Sequence, residues 1–344
     1  MRSIVHKLIT LALLSTMAMA SVKLASTVTV RDSPMADNST FGNIDQVATK
    51  HVHLELNADF YSRRLTGWAK HQMLASAVTN QVQFDSWDLS IINVVGWSLT
   101  DGAAALNVTN WEIVTANAEI GQTLVVILDR EVAVGEEIQV EMLYYTSATG
   151  QAFSWLNPAQ TDGKKLPYMF TQCEDINCRS VAPLQDTPAN RITYSADVTV
   201  PSELVVQMSA NSTGTTSSYP GWTTYSFACD ITIPSYLIAM AIGDIEYRSL
   251  GPRVGVLTEP GQMDAVLAEL DELGAFLDAV EAYAGPYIWG VYTILVLPPS
   301  FPMGGMENPL LTFASPTIIT GDKSQVDVAI HEIAHSWTGN EVTC

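Results

Sequence analysis

The feature that most constrains the fold is a run of about two hundred residues with the period of β-strands. Apolar residues recur at every second position in segments 52–60 and 138–144, and residues 124–128 are all aliphatic. Turn-forming residues such as Asp101 and Gly102 separate these segments. A period of two is typical of strands that bury one face. Residues 48–248 are therefore predicted to form a large β domain of several packed antiparallel sheets.

The pattern changes near Gly251. Residues 263–283 place apolar side chains at the 3.6-residue spacing of one amphipathic helix, with a solvated acidic face opposite. Gly285 is expected to end this helix, and residues 292–297 predict a buried strand. The chain is therefore predicted to be multidomain. A lead-in at residues 21–47 precedes the β domain at 48–248, and an α/β domain begins at 249 and continues to 344.

A His-Glu-x-x-His sequence lies at residues 331–335. On a helix, His331 and His335 lie one turn apart on one face, so both imidazoles can bind one metal ion. Glu332 is placed to take a proton from a water molecule that the metal activates. Neutral imidazoles are common zinc ligands, and this arrangement is typical of zinc hydrolases. The sequence predicts one Zn²⁺ held by the two histidines, with Glu332 as the general base.

A second motif, Gly304-Gly305-Met306-Glu307-Asn308, precedes the histidines by about twenty residues. Together with the sequence from His331 to Asn340, it resembles the zinc aminopeptidases of the aminopeptidase N and leukotriene A-4 hydrolase family. Segments 167–173, 185–188 and 297–302 are most similar to the branch that contains leukotriene A-4 hydrolase and aminopeptidase B. The resemblance covers almost all of the chain after residue 20, and it implies the start of a thermolysin-like α/β zinc peptidase domain after the β domain.

The resemblance also implies how a substrate is bound. Glu307 is expected to pair with the free α-amino group of a peptide, and the backbone of Gly304 and Gly305 to lie along its first residues. Gln172 and Glu174 match a segment of the β domain that reaches into the family's active site. The substrate-binding residues implied in this way are Gln172, Glu174, Met303, Gly304, Gly305, Met306, Glu307 and Asn308. The expected reaction is removal of the N-terminal residue of a peptide.

The resemblance leaves two other functions open. The family's third zinc ligand and its oxyanion-stabilising tyrosine are expected beyond Cys344, so the chain as written would be inactive or weakly active. One alternative is a truncated, non-catalytic isoform that binds peptides or a partner. The other is an epoxide hydrolase of the leukotriene A-4 type acting in the same cleft. Glu174 argues against the epoxide hydrolase, because the leukotriene hydrolase has glutamine at that position.

The first twenty residues have the pattern of a signal peptide. Arg2 and Lys7 precede an apolar run that ends at Ala18-Met19-Ala20 and is shorter than the roughly 20 residues that a membrane helix needs. The sequence therefore predicts a signal peptide at residues 1–20, secretion, and no stable membrane insertion after cleavage. An uncleaved signal anchor that tethers the protein to a membrane is the alternative. Candidate glycosylation sequons for the secretory pathway begin at Asn38, Asn107 and Asn211.

The net charge of −20 argues against nucleic acid as a partner, since long-range electrostatics would repel it. The predicted partner is instead a peptide substrate with a free N-terminus. Cys173, Cys178, Cys229 and Cys344 are too few and too scattered for a disulfide scaffold or a thiolate metal site, so we expect free, buried thiols.

Overall fold

Strands dominate the part of the chain that the structure describes, as the period-two alternation predicts. The computed structural model describes residues 37–343 except residues 101, 103 and 118. The first ten strands are β1 (Val47–Asp59), β2 (Arg64–Ala75), β3 (Thr79–Ser86), β4 (Ser90–Ser98), β5 (Ala104–Ala105), β6 (Val108–Asn117), β7 (Gly121–Val132), β8 (Glu137–Tyr145), β9 (Phe153–Leu156) and β10 (Tyr168–Thr171). The remaining strands are β11 (Arg191–Pro201), β12 (Val205–Met208), β13 (Asn211–Tyr219), β14 (Trp222–Pro234), β15 (Met240–Gly243), β16 (Glu246–Ser249), β17 (Val254–Thr258), β18 (Tyr292–Val296), β19 (Gly305–Met306) and β20 (Thr312–Ala314).

The largest sheet has eight strands in the order β13-β14-β11-β1-β2-β8-β4-β5. Along β1, buried residues such as Val52, Leu54 and Leu56 alternate with less buried ones, so one face packs on the core. Most neighbours in this sheet are antiparallel, but β1 pairs with β11 in parallel. Parallel neighbours need a long connection, and here strands β2 to β10 lie between them in the chain. The β domain is therefore mostly, not wholly, antiparallel.

Two smaller sheets, β3-β7-β6 and β12-β15-β10-β9, complete the β region. The loop after β10 carries the predicted site residues and is tied down by Arg179, which is fully buried. The guanidinium of Arg179 donates to the Asp186 carboxylate at 3.1 Å and to the backbone carbonyls of Ser39 and Ile120. Asp186 also accepts a hydrogen bond from the hydroxyl of Ser235. The Gln-Asp-Thr-Pro sequence at 185–188 therefore contributes to a buried polar network.

A mixed five-stranded sheet, in the order β16-β17-β18-β20-β19, begins the catalytic region. Its central strands β17, β18 and β20 are parallel to one another, and β16 and β19 pair antiparallel at its edges. β17 is buried along its whole length, as expected for a strand inside a parallel sheet. β18 confirms the buried strand predicted for residues 292–297. The helices described are α1 (Met263–Glu269), α2 (Leu273–Ala284) and α3 (Val326–Ala334).

The single helix predicted for residues 263–283 is wrong, because the structure has two helices, α1 and α2, with a break after residue 269. Leu270 leaves the helical conformation and is fully buried. Glu269, predicted to lie on a solvated face, is also buried. Its carboxylate accepts hydrogen bonds of 2.7–2.8 Å from the loop at residues 320–323. A distant loop thus determines the break, and local periodicity carries no sign of it.

Cys173, Cys178 and Cys229 are buried and free, which confirms the prediction for these three thiols. Cys344 and the predicted signal peptide at residues 1–20 lie outside the described residues. Among the helices of residues 37–343, none has the length and apolar character needed to cross a membrane.

Candidate active site

The Nε2 atoms of His331 and His335 converge on one point. His331 lies in the last turn of α3, and His335 follows that helix with helical backbone angles. The two Nε2 atoms are 3.1 Å apart, and the rings are inclined at 80°. Two nitrogens bound to one tetrahedral zinc ion at about 2.0–2.1 Å lie about 3.3 Å apart. The two predicted ligands are therefore positioned to share one ion, and this donor set fits zinc.

His335 is oriented through its other ring nitrogen. Its Nδ1 atom lies 2.8 Å from the carbonyl oxygen of Thr338. A carbonyl oxygen only accepts hydrogen bonds, so the proton of the neutral ring is placed on Nδ1. The lone pair on Nε2 is then free for a metal. An acceptor of this kind behind the second nitrogen is the usual partner of a metal-binding histidine.

A second set of possible ligands overlaps the predicted pair. Potential ligand atoms of Glu307, Glu332 and His335 all lie within 4.8 Å of one another. However, Oε1 of Glu307 is 3.6 Å from Nδ1 of His335, on the side of the ring that the carbonyl of Thr338 already occupies. The Nε2 side faces His331. This geometry favours the two histidines as ligands and leaves the two glutamates for other roles.

The side chain of Glu332 is buried against the backbone of Gly305. Gly305 lies in β19, which pairs with β20 at the edge of the five-stranded sheet. A β-carbon at Gly305 would overlap the Glu332 carboxylate. At Gly304 a β-carbon would meet nothing closer than Cγ1 of Val328, at 3.8 Å. Of the two adjacent glycines, Gly305 is therefore the one that the position of Glu332 requires.

The carboxylates of Glu174, Glu307 and Glu332 lie close to one another beside the histidines. Burial, followed by the negative charges of Glu307 and Glu174, raises the pKa of Glu332 to about 8. Burial also raises the pKa of Glu174, with further increases from Glu307 and Asp175, while His335 lowers it. Like charges in a partly buried site disfavour one another and favour a bound cation. The site is therefore electrostatically suited to a metal ion and to an ammonium group.

The other residues predicted to bind substrate have different environments. Gln172 donates from Nε2 to the sulfur of Met306 at 3.2 Å, which connects the β region to β19. Its Oε1 atom and Nδ2 of Asn308 are buried with no hydrogen-bond partner among the described residues. Met303 is 39% exposed and Gly304 is exposed, so these two residues lie at the surface. The structure therefore joins Gln172 and Met306 and separates Met303 from the buried part of the site.

Sequence reasoning missed the role of the loop that follows α3. Asn340 donates its backbone N–H to the carbonyl of His335 at 3.1 Å and its side-chain amide to the carbonyl of Glu307 at 2.7 Å. Arg191, at the start of β11, donates to the carbonyl of Asn340 at 2.8 Å. The run Thr338-Gly339-Asn340 directly after the histidines was a usable signal for the loop. Arg191, a single arginine at the start of β11, gave no comparable signal in the sequence.

Comparisons with protein families cover most of the chain. Residues 48–237 match the family model described as the peptidase M1 N-terminal domain. Residues 269–344 match the peptidase family M1 domain, which includes α3 and the motif at residues 304–308. These matches agree with a β-rich region followed by the start of a catalytic region.

Individual relatives give the same result. The chain is 42% identical over 317 residues to leukotriene A-4 hydrolase of Xenopus laevis, covering 90% of this chain and 50% of the relative. It is 41% identical over 308 residues to leucine aminopeptidase 2 of Pyricularia oryzae, covering 89% and 49%. A structure of native yeast LTA4 hydrolase is similar with a TM-score of 0.80 and 32% identity, covering 94% and 49%. The chain thus spans about half the length of the relatives it matches.

The prediction of a secreted protein, with its membrane-tethered alternative, is wrong. The relatives and solved structures that match the chain, leukotriene A-4 hydrolase and leucine aminopeptidase 2, are enzymes of a cytosolic type. The signal pattern rested on Arg2 and Lys7, the apolar run after them and the triplet Ala18-Met19-Ala20, and all of these lie outside the described residues. Asn38, Asn107 and Asn211 are exposed. Glycosylation of these asparagines was predicted only because secretion was predicted, so that prediction is withdrawn as well.

Proposed function

Because this chain belongs to peptidase family M1, we propose that its site is that of a zinc-dependent aminopeptidase, which removes the N-terminal residue of a peptide. The observation that carries the proposal is the convergence of two imidazoles, with Nε2 atoms 3.1 Å apart, beside the buried carboxylate of Glu332. The similarity to leucine aminopeptidase 2 supports the same reaction class.

The proposed mechanism assigns one role to each residue at the centre. His331 and His335 would hold zinc through Nε2, and zinc, when bound, supplies an activated water molecule and a polarised carbonyl. Glu332 accepts a proton from the attacking water and returns it to the leaving amino group. The bond between the first and second residues of the peptide then breaks without a covalent intermediate on the protein.

The proposed recognition of the substrate's amino terminus depends on the remaining carboxylates. Glu307 lies beside His335, and its charge contributes to the raised pKa values of Glu332 and Glu174. A free α-ammonium group would relieve this repulsion, whereas an acylated amino group would not. Glu307, Glu174 and the amide of Gln172 are therefore proposed to select a free N-terminus.

A second candidate activity is hydrolysis of an epoxide of the leukotriene A-4 type in the same cleft. The similarity to leukotriene A-4 hydrolase of Xenopus laevis is the observation in its favour. The carboxylate of Glu174 argues for the peptidase. A group that adds negative charge near Glu307 strengthens binding of an ammonium and contributes nothing to binding an uncharged epoxide.

The proposal is tested by turnover of aminoacyl amides by the zinc-loaded chain, with N-acetylated forms of the same amides as the control. In keeping with the low activity expected from the sequence, we expect weak, chelator-sensitive release of the first residue, and from the free amides only. Glu332→Gln is expected to lower kcat by about 10²–10⁴-fold, because it removes the general base. Glu307→Gln is expected to raise KM for the free amides.

Two results would contradict the peptidase proposal. Equal turnover of free and acetylated amides would contradict recognition of the amino terminus. Zinc-loaded, folded chain without any turnover would favour the non-catalytic alternative, a protein that binds peptides or a partner.

A further inference from the structure

We propose that Asn340 is a positioning residue that sets the separation between the metal-binding His335 and Glu307, and that Arg191 holds Asn340 in place. The inference rests on the proposed function, since it concerns how the amine-binding carboxylate is aligned with the metal centre. Asn340 lies five residues after His335 and is 1% exposed. It is not placed to touch a substrate.

Asn340 forms hydrogen bonds to both halves of the site. Its backbone N–H donates to the carbonyl of His335 at 3.1 Å, and its side-chain Nδ2 donates to the carbonyl of Glu307 at 2.7 Å. Glu307 and His335 are 28 positions apart in the chain and lie on different elements. Asn340, whose side chain bonds to Glu307 and whose backbone bonds to His335, therefore fixes their relative position more directly than β19 or α3 does alone.

The backbone of this loop passes very close to both side chains. Gly339 has φ of +123°, and a β-carbon there would lie 3.1 Å from Nδ1 of His335 and 3.5 Å from Oε1 of Glu307. Glycine alone combines this backbone conformation with so close an approach. The approach places the following residue, Asn340, where its amide reaches Glu307.

The β region holds the loop in this position. The guanidinium of Arg191 donates to the carbonyl of Asn340 at 2.8 Å and to the carbonyl of Thr232 in β14, and it also bonds to the hydroxyl of Thr343. The hydroxyl of Tyr236 donates to the carbonyl of Gly339 at 3.4 Å. Two residues of the β region thus contact the segment that joins the metal site to Glu307.

Substitution of Asn340 and substitution of Arg191 are expected to weaken different binding steps. Removing the amide of Asn340 leaves the carbonyl of Glu307 without this donor, while His335 keeps its own acceptor, the carbonyl of Thr338. Recognition of the amine should then weaken with little change in zinc binding. Removing Arg191 frees the whole loop, including Thr338, so both zinc binding and amine recognition should weaken.

The test measures binding of an amino-acid hydroxamate and of its N-acetylated form to the full zinc-loaded chain by calorimetry. The dissociation constant of the acetylated form divided by that of the free form is the ratio that reports recognition of the amino group. A purely structural role of Asn340 would not change this ratio. Zinc affinity is measured separately by competition with a chromophoric chelator. We expect Asn340→Ala to lower the ratio about five- to tenfold, the loss of about one hydrogen bond, with zinc affinity within about threefold of wild type.

Arg191→Ala is expected to lower both the ratio and the zinc affinity. Arg253→Ala is the matched control, because it also removes a hydrogen-bonded guanidinium, here one whose partners are Asp278 and Glu281. It should change neither quantity. Asn340→Leu keeps a side chain of similar size without the N–H donor and without adding charge beside Glu307, and it replaces Asn340→Ala if the smaller residue prevents folding.

A wild-type ratio in folded, zinc-binding Asn340→Ala or Asn340→Leu would overturn the inference while leaving the proposed function intact. A ratio near one in the wild-type chain would overturn both, because no recognition of the amine would then exist to be positioned.

Discussion

Two clusters of buried charged groups in this molecule differ in how their carboxylates are partnered. Around Arg179, opposite charges are paired, with its guanidinium 3.1 Å from Asp186 and 3.8 Å from Asp85. Beside the two histidines, burial raises the pKa of Glu332, and the like charges of Glu307 and Glu174 raise it further. In the first cluster, burial raises the pKa of Asp85 to about 6, and the charge of Arg179 with hydrogen bonds from Phe41 and Thr40 opposes that rise. The second cluster contains several carboxylates, and a bound cation would balance their negative charge.

This difference distinguishes buried charged groups that stabilise the fold from buried charged groups that bind a ligand. A buried ion pair whose guanidinium makes four hydrogen bonds within the protein explains a local conformation, here the loop after β10. A set of like charges with unpaired polar atoms nearby, such as Oε1 of Gln172, disfavours folding and is a sign of ligand binding. The following substitutions test that distinction.

Arg179→Met should cause the largest effect. It removes the fully buried guanidinium and leaves Asp186 and Asp85 without their cationic partner. We expect a loss of about 3–5 kcal/mol in the free energy of unfolding, measured by urea denaturation of the metal-free chain. Arg253→Ala, which breaks exposed ion pairs, should cost about 1 kcal/mol or less. Equal losses in the two variants would contradict the structural role of the Arg179 cluster.

Gly305→Ala should have an intermediate effect. The added methyl group overlaps the Glu332 carboxylate, so either β19 or that side chain must move. We expect a loss of about 1–3 kcal/mol in unfolding free energy and a fall in aminopeptidase turnover. Gly304→Ala is the matched control, since its nearest neighbour is 3.8 Å away, and should stay within about 0.5 kcal/mol of wild type. Similar turnover in both variants would contradict the contact between Gly305 and Glu332.

Glu332→Gln should have the smallest effect on stability, with the opposite sign. It removes a carboxyl group whose charged form is disfavoured by burial and by two neighbouring carboxylates. We expect the metal-free chain to be unchanged or about 1 kcal/mol more stable by urea denaturation. Asp186→Asn removes a carboxylate from the paired cluster and should cost about 3 kcal/mol or more. A comparable loss in both variants would contradict the division into two kinds of cluster.

The sequence allowed the most reliable predictions where the pattern is local. The spacing of His331 and His335 places both rings on one helix face, and the structure brings their Nε2 atoms together. The strand at residues 292–297 was likewise predicted correctly. The features that were missed depend on distant partners. The break after Glu269 requires the loop at residues 320–323, and the parallel pairing of β1 with β11 joins strands far apart in the chain.

The candidate site shows the same limit. The sequence pointed to Glu307 through a motif, but it carried no sign that Asn340 and Arg191 connect that residue to the rest of the site. Such contacts are made between backbone carbonyls and side chains of separate elements, and they become visible only once the chain is folded. Patterns in the sequence thus pointed to the groups proposed to react, and the structure was needed to show what holds them.

The central claim is that His331 and His335, rather than the neighbouring glutamates, bind the metal. Its most direct test is a zinc titration of the metal-free chain, with competition against a chromophoric chelator, in wild type and in His331→Ala, His335→Ala, Glu332→Gln and Glu307→Gln. The account predicts one zinc per chain, at least about 100-fold weaker binding in either histidine variant, and near wild-type binding in both glutamine variants. Undiminished binding in His331→Ala, together with loss of binding in Glu332→Gln and Glu307→Gln, would contradict it.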